Sequence, residues 1–172
     1  MTIKSLHVYN EPVLTVNRQD LLTKMLSTPH LLVGAAIVKT IPNPAISLPL
    51  ALLSHFALDS FPHWDGSPKA PFGLKTTGWI IVDYLIGSSI VLLLTAGLEN
   101  QVLICLGAFL GTLPDFILGT YRHLESTFSK YRLLRVPNQF HMGIQRNIPF
   151  RPGLIVTSIT SLISILILLS GK

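Results

Sequence analysis

Charge and cysteine are the two things this sequence is short of. Charged residues make up 12% of its 172 positions, where soluble domains carry about 25%. Such a chain has few groups with which to cover a water-facing surface. Cys105 is the only cysteine, and it lies inside an apolar run. One cysteine excludes a disulfide within the chain and a metal site built on cysteines, so a metal would have to be held by His, Asp or Glu. The sequence also lacks a Walker loop, a Rossmann glycine pattern and a Gly-x-Ser-x-Gly elbow, so nucleotide binding and serine hydrolysis have no support. Residues 1–24 are polar and mixed, without the uninterrupted apolar core of a signal peptide. There is no internal repeat and no low-complexity tract.

What is present is hydrophobicity. Of all residues 49% are hydrophobic, and the mean hydropathy is positive. Several apolar runs approach the ~20 residues that cross a bilayer, which disfavours a very apolar soluble helical domain. The expected fold class is all-α: an integral membrane helical bundle with four or five membrane segments. Residues 1–27 read as a poorly ordered N-terminal extension, with Met25 a candidate start just before the organised sequence. Residues 28–170 read as the helical membrane domain. Its segments are expected near 28–39, 45–61, 78–98, 102–118 and 153–169, the first short for a span and so tilted or partly embedded. Gly107 and Gly111 form a GxxxG pair in the fourth, which either lets helices approach closely or reflects chance glycines. Residues 119–152 form a basic loop with six Lys or Arg against one acidic residue, Glu125. An interfacial helix is expected within it, around Leu124 to Leu134.

The second segment ends in Ser54-His55-Phe56-Ala57-Leu58-Asp59, followed by Ser60-Phe61-Pro62-His63-Trp64-Asp65. Ionisable groups at membrane depth are costly, so they are usually paired, metal-bound or functional. His55 and Asp59 are four apart, which puts both on one helix face, one turn apart. An imidazole and a carboxylate so placed can share a divalent metal ion. Pro62 ends the helix, because the residue before a proline avoids the helical region.

Cytoplasmic loops are enriched in Lys and Arg. With five segments and the N-terminus inside, Lys39 and Lys172 lie outside and the other eleven of the 13 basic residues lie inside. The same arrangement brings His30, His55, Asp59, Asp83 and Asp115 to the inner ends of their helices, with His63, Asp65 and His141 in inner loops. The charge bias was counted without these residues, so their convergence at one interface is evidence for a site. Each has a plainer reading on its own. His30 can be a polar helix-start residue, Asp83 and Asp115 can sit at headgroup level, and His63 with Trp64 can be interfacial.

Together these residues resemble the LexA-regulated, YdjM-type family of membrane-bound metal-dependent hydrolases, distantly similar to zinc-dependent phospholipase C. The resemblance is carried by Thr28-Pro29-His30-Leu31-Leu32-Val33-Gly34-Ala35, by His55-x-x-x-Asp59 with Pro62-His63-Trp64-Asp65, by Gly111-Thr112-Leu113-Pro114-Asp115, and by Phe140-His141. It spans about residues 28–145. The family pattern has a His-Arg and Thr-His-Ser cluster after the Pro-Asp element. This chain has Tyr121-Arg122-His123 and Gln139-Phe140-His141 instead.

The resemblance implies a hydrolase at the cytoplasmic face of the inner membrane. His30, His55, Asp59 and Asp115 are then the expected metal ligands, with His141 a further one. Asp65 or Asp83 is the expected catalytic base. The implied cofactor is a divalent metal, zinc by analogy, whose bound water ionises near neutral pH. The implied partners are membrane lipids and a small-molecule or lipid phosphoester held by the basic loop, with no nucleic acid. The alternative is a non-catalytic membrane protein with a structural metal or a polar helix-end network. A transporter fits less well, since transporters place polar groups near the midplane.

Overall fold

The computed structural model describes residues 26–64, 74–146 and 148–170. Asp65, Met25 and nearly all of the expected extension lie outside the described residues. Within them the chain is entirely helical: α1 (Ser27–Thr40), α2 (Pro44–Ser60), α3 (Leu74–Thr95), α4 (Gln101–His123), α5 (Glu125–Phe128), α6 (Arg132–Ile144) and α7 (Phe150–Leu169).

α1 is the hub, packed against α2, α3, α4 and α7. A helix that is apolar all round belongs inside a bundle. Leu31, Leu32, Ala35, Ala36 and Val38 accordingly supply half of the buried core, with Ala51, Val91, Ile104, Ala108 and Leu168 from the surrounding helices. α1 is short because its neighbours, rather than lipid, cover it. α3, α4 and α7 are the three described helices long and apolar enough to cross a membrane. α1 and α2, at roughly 21 and 26 Å, fall short of that length. The outer faces of α3 and α7 present Leu85, Ile86, Leu93, Ile155, Ile159 and Leu166 exposed. An apolar surface this continuous is a lipid-facing one.

Small residues set the closest contact. At the α1–α4 crossing a Cβ on Gly34 would strike the carbonyl of Gly107, and one on Gly111 would strike the carbonyl of His30. The GxxxG pair of α4 therefore packs on a third glycine, in α1. This crossing brings the first turn of α1 against the Gly111–Asp115 turn of α4.

Boundaries follow local chemistry. Asn43 accepts from the Ala45 amide and starts α2 at Pro44, a position where a proline loses no hydrogen bond. α3 stops at Thr95 rather than near 98 because Gly97 takes φ 81°, the left-handed stop that glycine makes cheap. α4 runs on to His123, past the expected end near 118, with Pro114 inside it. The interfacial helix expected around Leu124–Leu134 is displaced. The short α5 lies there, and the longer α6 follows. α6 exposes Leu133, Val136 and Phe140 along one stripe and buries His141 on another.

At the far end of the bundle, Lys39 Nζ donates to the carbonyls of Leu168 (2.6 Å) and Ser170 (2.7 Å). A cation on the last carbonyls of α7 is favourable. It also ties the C-terminal ends of α1 and α7 together.

Candidate metal centre

Four helices deliver polar groups to the opposite end: His30 from α1, His55 and Asp59 from α2, Asp115 from α4 and His141 from α6, with His63 just past the end of α2. Asp59, in the last turn of α2, is the centre. Its Oδ2 lies 2.7 Å from His141 Nε2 and 3.3 Å from His55 Nε2. Its Oδ1 lies 3.5 Å from His30 Nε2 and 4.0 Å from His63 Nε2. One carboxylate thus faces two pairs of histidines, one pair on each oxygen. Asp115 Oδ1, from α4, is 3.3 Å from His55 Nε2 and 3.6 Å from His141 Nε2. Ligand atoms of His55, Asp59, Asp115 and His141 all lie within 4.8 Å of one another.

These groups are enclosed. His55 is 0% exposed, Asp59 2%, His141 3% and His30 4%. Burying charged or polar groups is costly unless they are matched, so the cluster must be balanced from within. His55 shows how. Its Nδ1 lies 2.8 Å from the carbonyl of Gly111, which can only accept, so Nδ1 carries a proton. In a neutral ring Nε2 then offers a lone pair, and Nε2 is the atom aimed at Asp59, Asp115 and His141. A lone pair facing two carboxylates calls for positive charge between them, as a metal ion or as protons on the histidines. A ring N–H anchored on a backbone carbonyl is also the usual support of a metal-binding histidine. Pro114 contributes to this support. It removes the N–H that would bond the Leu110 carbonyl and loosens the turn, and the neighbouring Gly111 carbonyl takes the His55 ring.

His63 is the residue that sequence reasoning left in a headgroup-level loop. The signal was present, because it follows Asp59 by four as Asp59 follows His55. Backbone pairing holds it in place although the helix has ended. Its amide donates to the Arg146 carbonyl (3.1 Å), its carbonyl accepts from Ile148, and the Arg146 amide donates to the Asp59 carbonyl. The chain leaving α6 is thereby laced to the chain leaving α2, which fixes His141 over Asp59.

Asp83 is brought elsewhere. Its Oδ2 accepts from the backbone amides of Ser27 and Thr28, and its Oδ1 from the Thr28 hydroxyl (2.7 Å). No side chain at the N-cap of α1 caps it; a carboxylate from α3 does so. The first amides of a helix lack partners and carry partial positive charge, which explains an aspartate at this depth. Asp83→Ala should therefore leave two amides unpaired and lower stability by about 2 kcal/mol. Thermal unfolding in detergent would read this as a lowered midpoint, and an unchanged midpoint would show that the cap contributes nothing. Comparison with family models, curated proteins and solved structures gives no match to this chain, so the centre is defined by its own geometry.

Proposed function

We infer that this chain is a membrane-embedded, metal-dependent hydrolase of phosphoesters, of the YdjM type whose motifs it resembles. The observation that carries the reading is the buried meeting of two imidazole nitrogens and two carboxylates within 4.8 Å. Two His and two Asp suit a borderline ion such as Zn²⁺. When bound, such an ion supplies Lewis acidity to a phosphoryl oxygen and acidifies water. The protein's part is to hold and orient. His55 is fixed by Gly111, His141 by the lacing of α6 to α2, and Asp59 by histidines on both oxygens. In hydrolysis the water oxygen bonds to phosphorus, the P–O bond to the alcohol breaks, and the water's proton passes to a base. His30 is a candidate for that base, since its Nδ1 is buried without a hydrogen-bond partner among the described residues.

We place five segments in the inner membrane, with α1 and α2 as short embedded ones and the cluster toward the cytoplasm. The Lys and Arg bias supports this orientation.

A structural metal is the second reading. It is favoured by the near-complete burial of His55 and His141, because structural sites are closed and catalytic ones keep an open position. Elemental analysis of detergent-purified protein tests both. The expected result is a stoichiometric divalent metal together with turnover of a phosphoester. Metal without turnover across a broad phosphoester panel leaves the structural reading, and absence of metal overturns both.

A further inference from the structure

The site lies below the end of the apolar helices. Asp115 is six residues before the end of the apolar stretch of α4 at Tyr121. Six residues are about 9 Å of helix. On the α6 side, His141 and the Arg146 backbone, paired with Asp59 and His63, close against the cluster. Elsewhere it is reached differently. A cavity of about 170 Å³ lies between α1, α2 and α7, with His30 and His63 in its wall and Leu26, Leu58 and Val156 around them. A second cavity, about 380 Å³, continues along the α1–α7 seam over Val33, Ile37, Ile163 and Ile167. Thr160 lines both.

Together the two mark the α1–α7 seam as a largely apolar groove with imidazoles at one end. On α1 it runs from Pro29 to Thr40, eleven residues or roughly 16 Å. That is about half of the ~30 Å hydrocarbon core, about the length of one lipid chain. The polar end holds two imidazoles beside the candidate centre. Arg146 and Arg151, both exposed, lie on the segment that pairs with His63 and at the start of α7, where cationic groups favour an anionic headgroup. The depth is also compatible with a lipid. α1 begins at Ser27, one turn before His30, and a bilayer thins toward a hydrophobic helix this short.

We propose that the α1–α7 seam binds one hydrocarbon chain of an anionic phospholipid, entering sideways from the bilayer, with its phosphate end at the His30–His63 side of the cluster. This rests on the hydrolase reading for its catalytic meaning, and it names the substrate as a membrane lipid.

The probe is phosphatidylglycerol with a diazirine in one acyl chain, in nanodiscs carrying the full chain. Illumination followed by peptide mass spectrometry should place the label on α1 and α7. Thr160→Trp alters the residue that lines both cavities and should cut labelling about tenfold, a loss of roughly 1.4 kcal/mol of binding, with metal content unchanged. Ile163→Trp, on the exposed wall of the seam, gives the same test should the first variant fail to fold. A diacylglycerol with the same photoreactive chain should label the seam about tenfold less. Equal labelling by the two lipids, labelling spread evenly over α3 as well, or indifference to both substitutions would mean ordinary boundary lipid and overturn the proposal. Labelling requires neither metal nor turnover, so its failure is distinct from absence of metal in the purified protein.

Discussion

Asp59→Asn should purify as a folded helical protein that no longer retains metal. The substitution keeps the shape of the side chain and its capacity to hydrogen-bond but removes the anionic oxygens. Asp59 faces both histidine pairs, through Oδ1 at 3.5 and 4.0 Å and Oδ2 at 2.7 and 3.3 Å. Losing its charge removes half of the carboxylate charge facing His55 and His141. Metal affinity should fall by more than about 100-fold, since changes to groups that merely support a ligand already cost 10–100-fold. Phosphoester turnover should fall with it. The fold should survive, because a neutral amide is cheaper to bury than a carboxylate and the apolar core along α1 does not include Asp59. Elemental analysis beside wild type and circular dichroism in detergent check both halves. Metal retained at wild-type stoichiometry by Asp59→Asn would show that the ion, if present, lies elsewhere.

Part of this centre was legible in the sequence because it is local or set by helix direction. The four-residue spacing of His55 and Asp59 needs only a helix. Bringing His30, Asp59 and Asp115 to one end needs only that successive segments alternate in direction. What could not be read depends on contacts across the chain. Asp83 lies in the first half of α3, and its partners are the α1 amides, which no pattern within α3 announces. His63 lies beyond a helix stop, so its position depends on pairing with Arg146 and Ile148. α1 looked like a marginal span because length alone was weighed. Its role as hub follows from the small residues Gly34, Ala35 and Ala36, whose packing surface becomes visible only with the neighbouring helices around it. The break between α5 and α6 was likewise hidden, since Leu124, Phe128, Tyr131 and Leu134 keep three- and four-residue spacings straight through it.

Gly111→Ala should be among the most damaging single methyls in the described residues, and Gly119→Ala, two turns on in the same helix, should be benign or stabilising. The two differ only in what the new Cβ meets. At Gly119 there is nothing within 4 Å, whereas at Gly111 the Cβ would overlap the His30 carbonyl oxygen and approach Gly34 Cα at 3.4 Å. Both are backbone atoms of α1, so no side chain can swing aside, and the helices must separate. Overpacking of this kind costs typically ~1–3 kcal/mol, and a rigid backbone neighbour places it at the upper end. In its favour the alanine gains about 1 kcal/mol of helix propensity, which at Gly119 should appear undiminished. Chemistry is affected as well as stability. The Gly111 carbonyl holds His55 Nδ1 at 2.8 Å, and the His30 backbone is the surface displaced, so separation of α1 from α4 shifts two histidines relative to Asp115. Metal content should therefore fall in Gly111→Ala and hold in Gly119→Ala, alongside opposite shifts of the unfolding midpoint in detergent. Equal midpoints for the two variants would mean that α1 and α4 do not cross at these glycines, and the convergence of His30 with Asp115 would lose its structural basis.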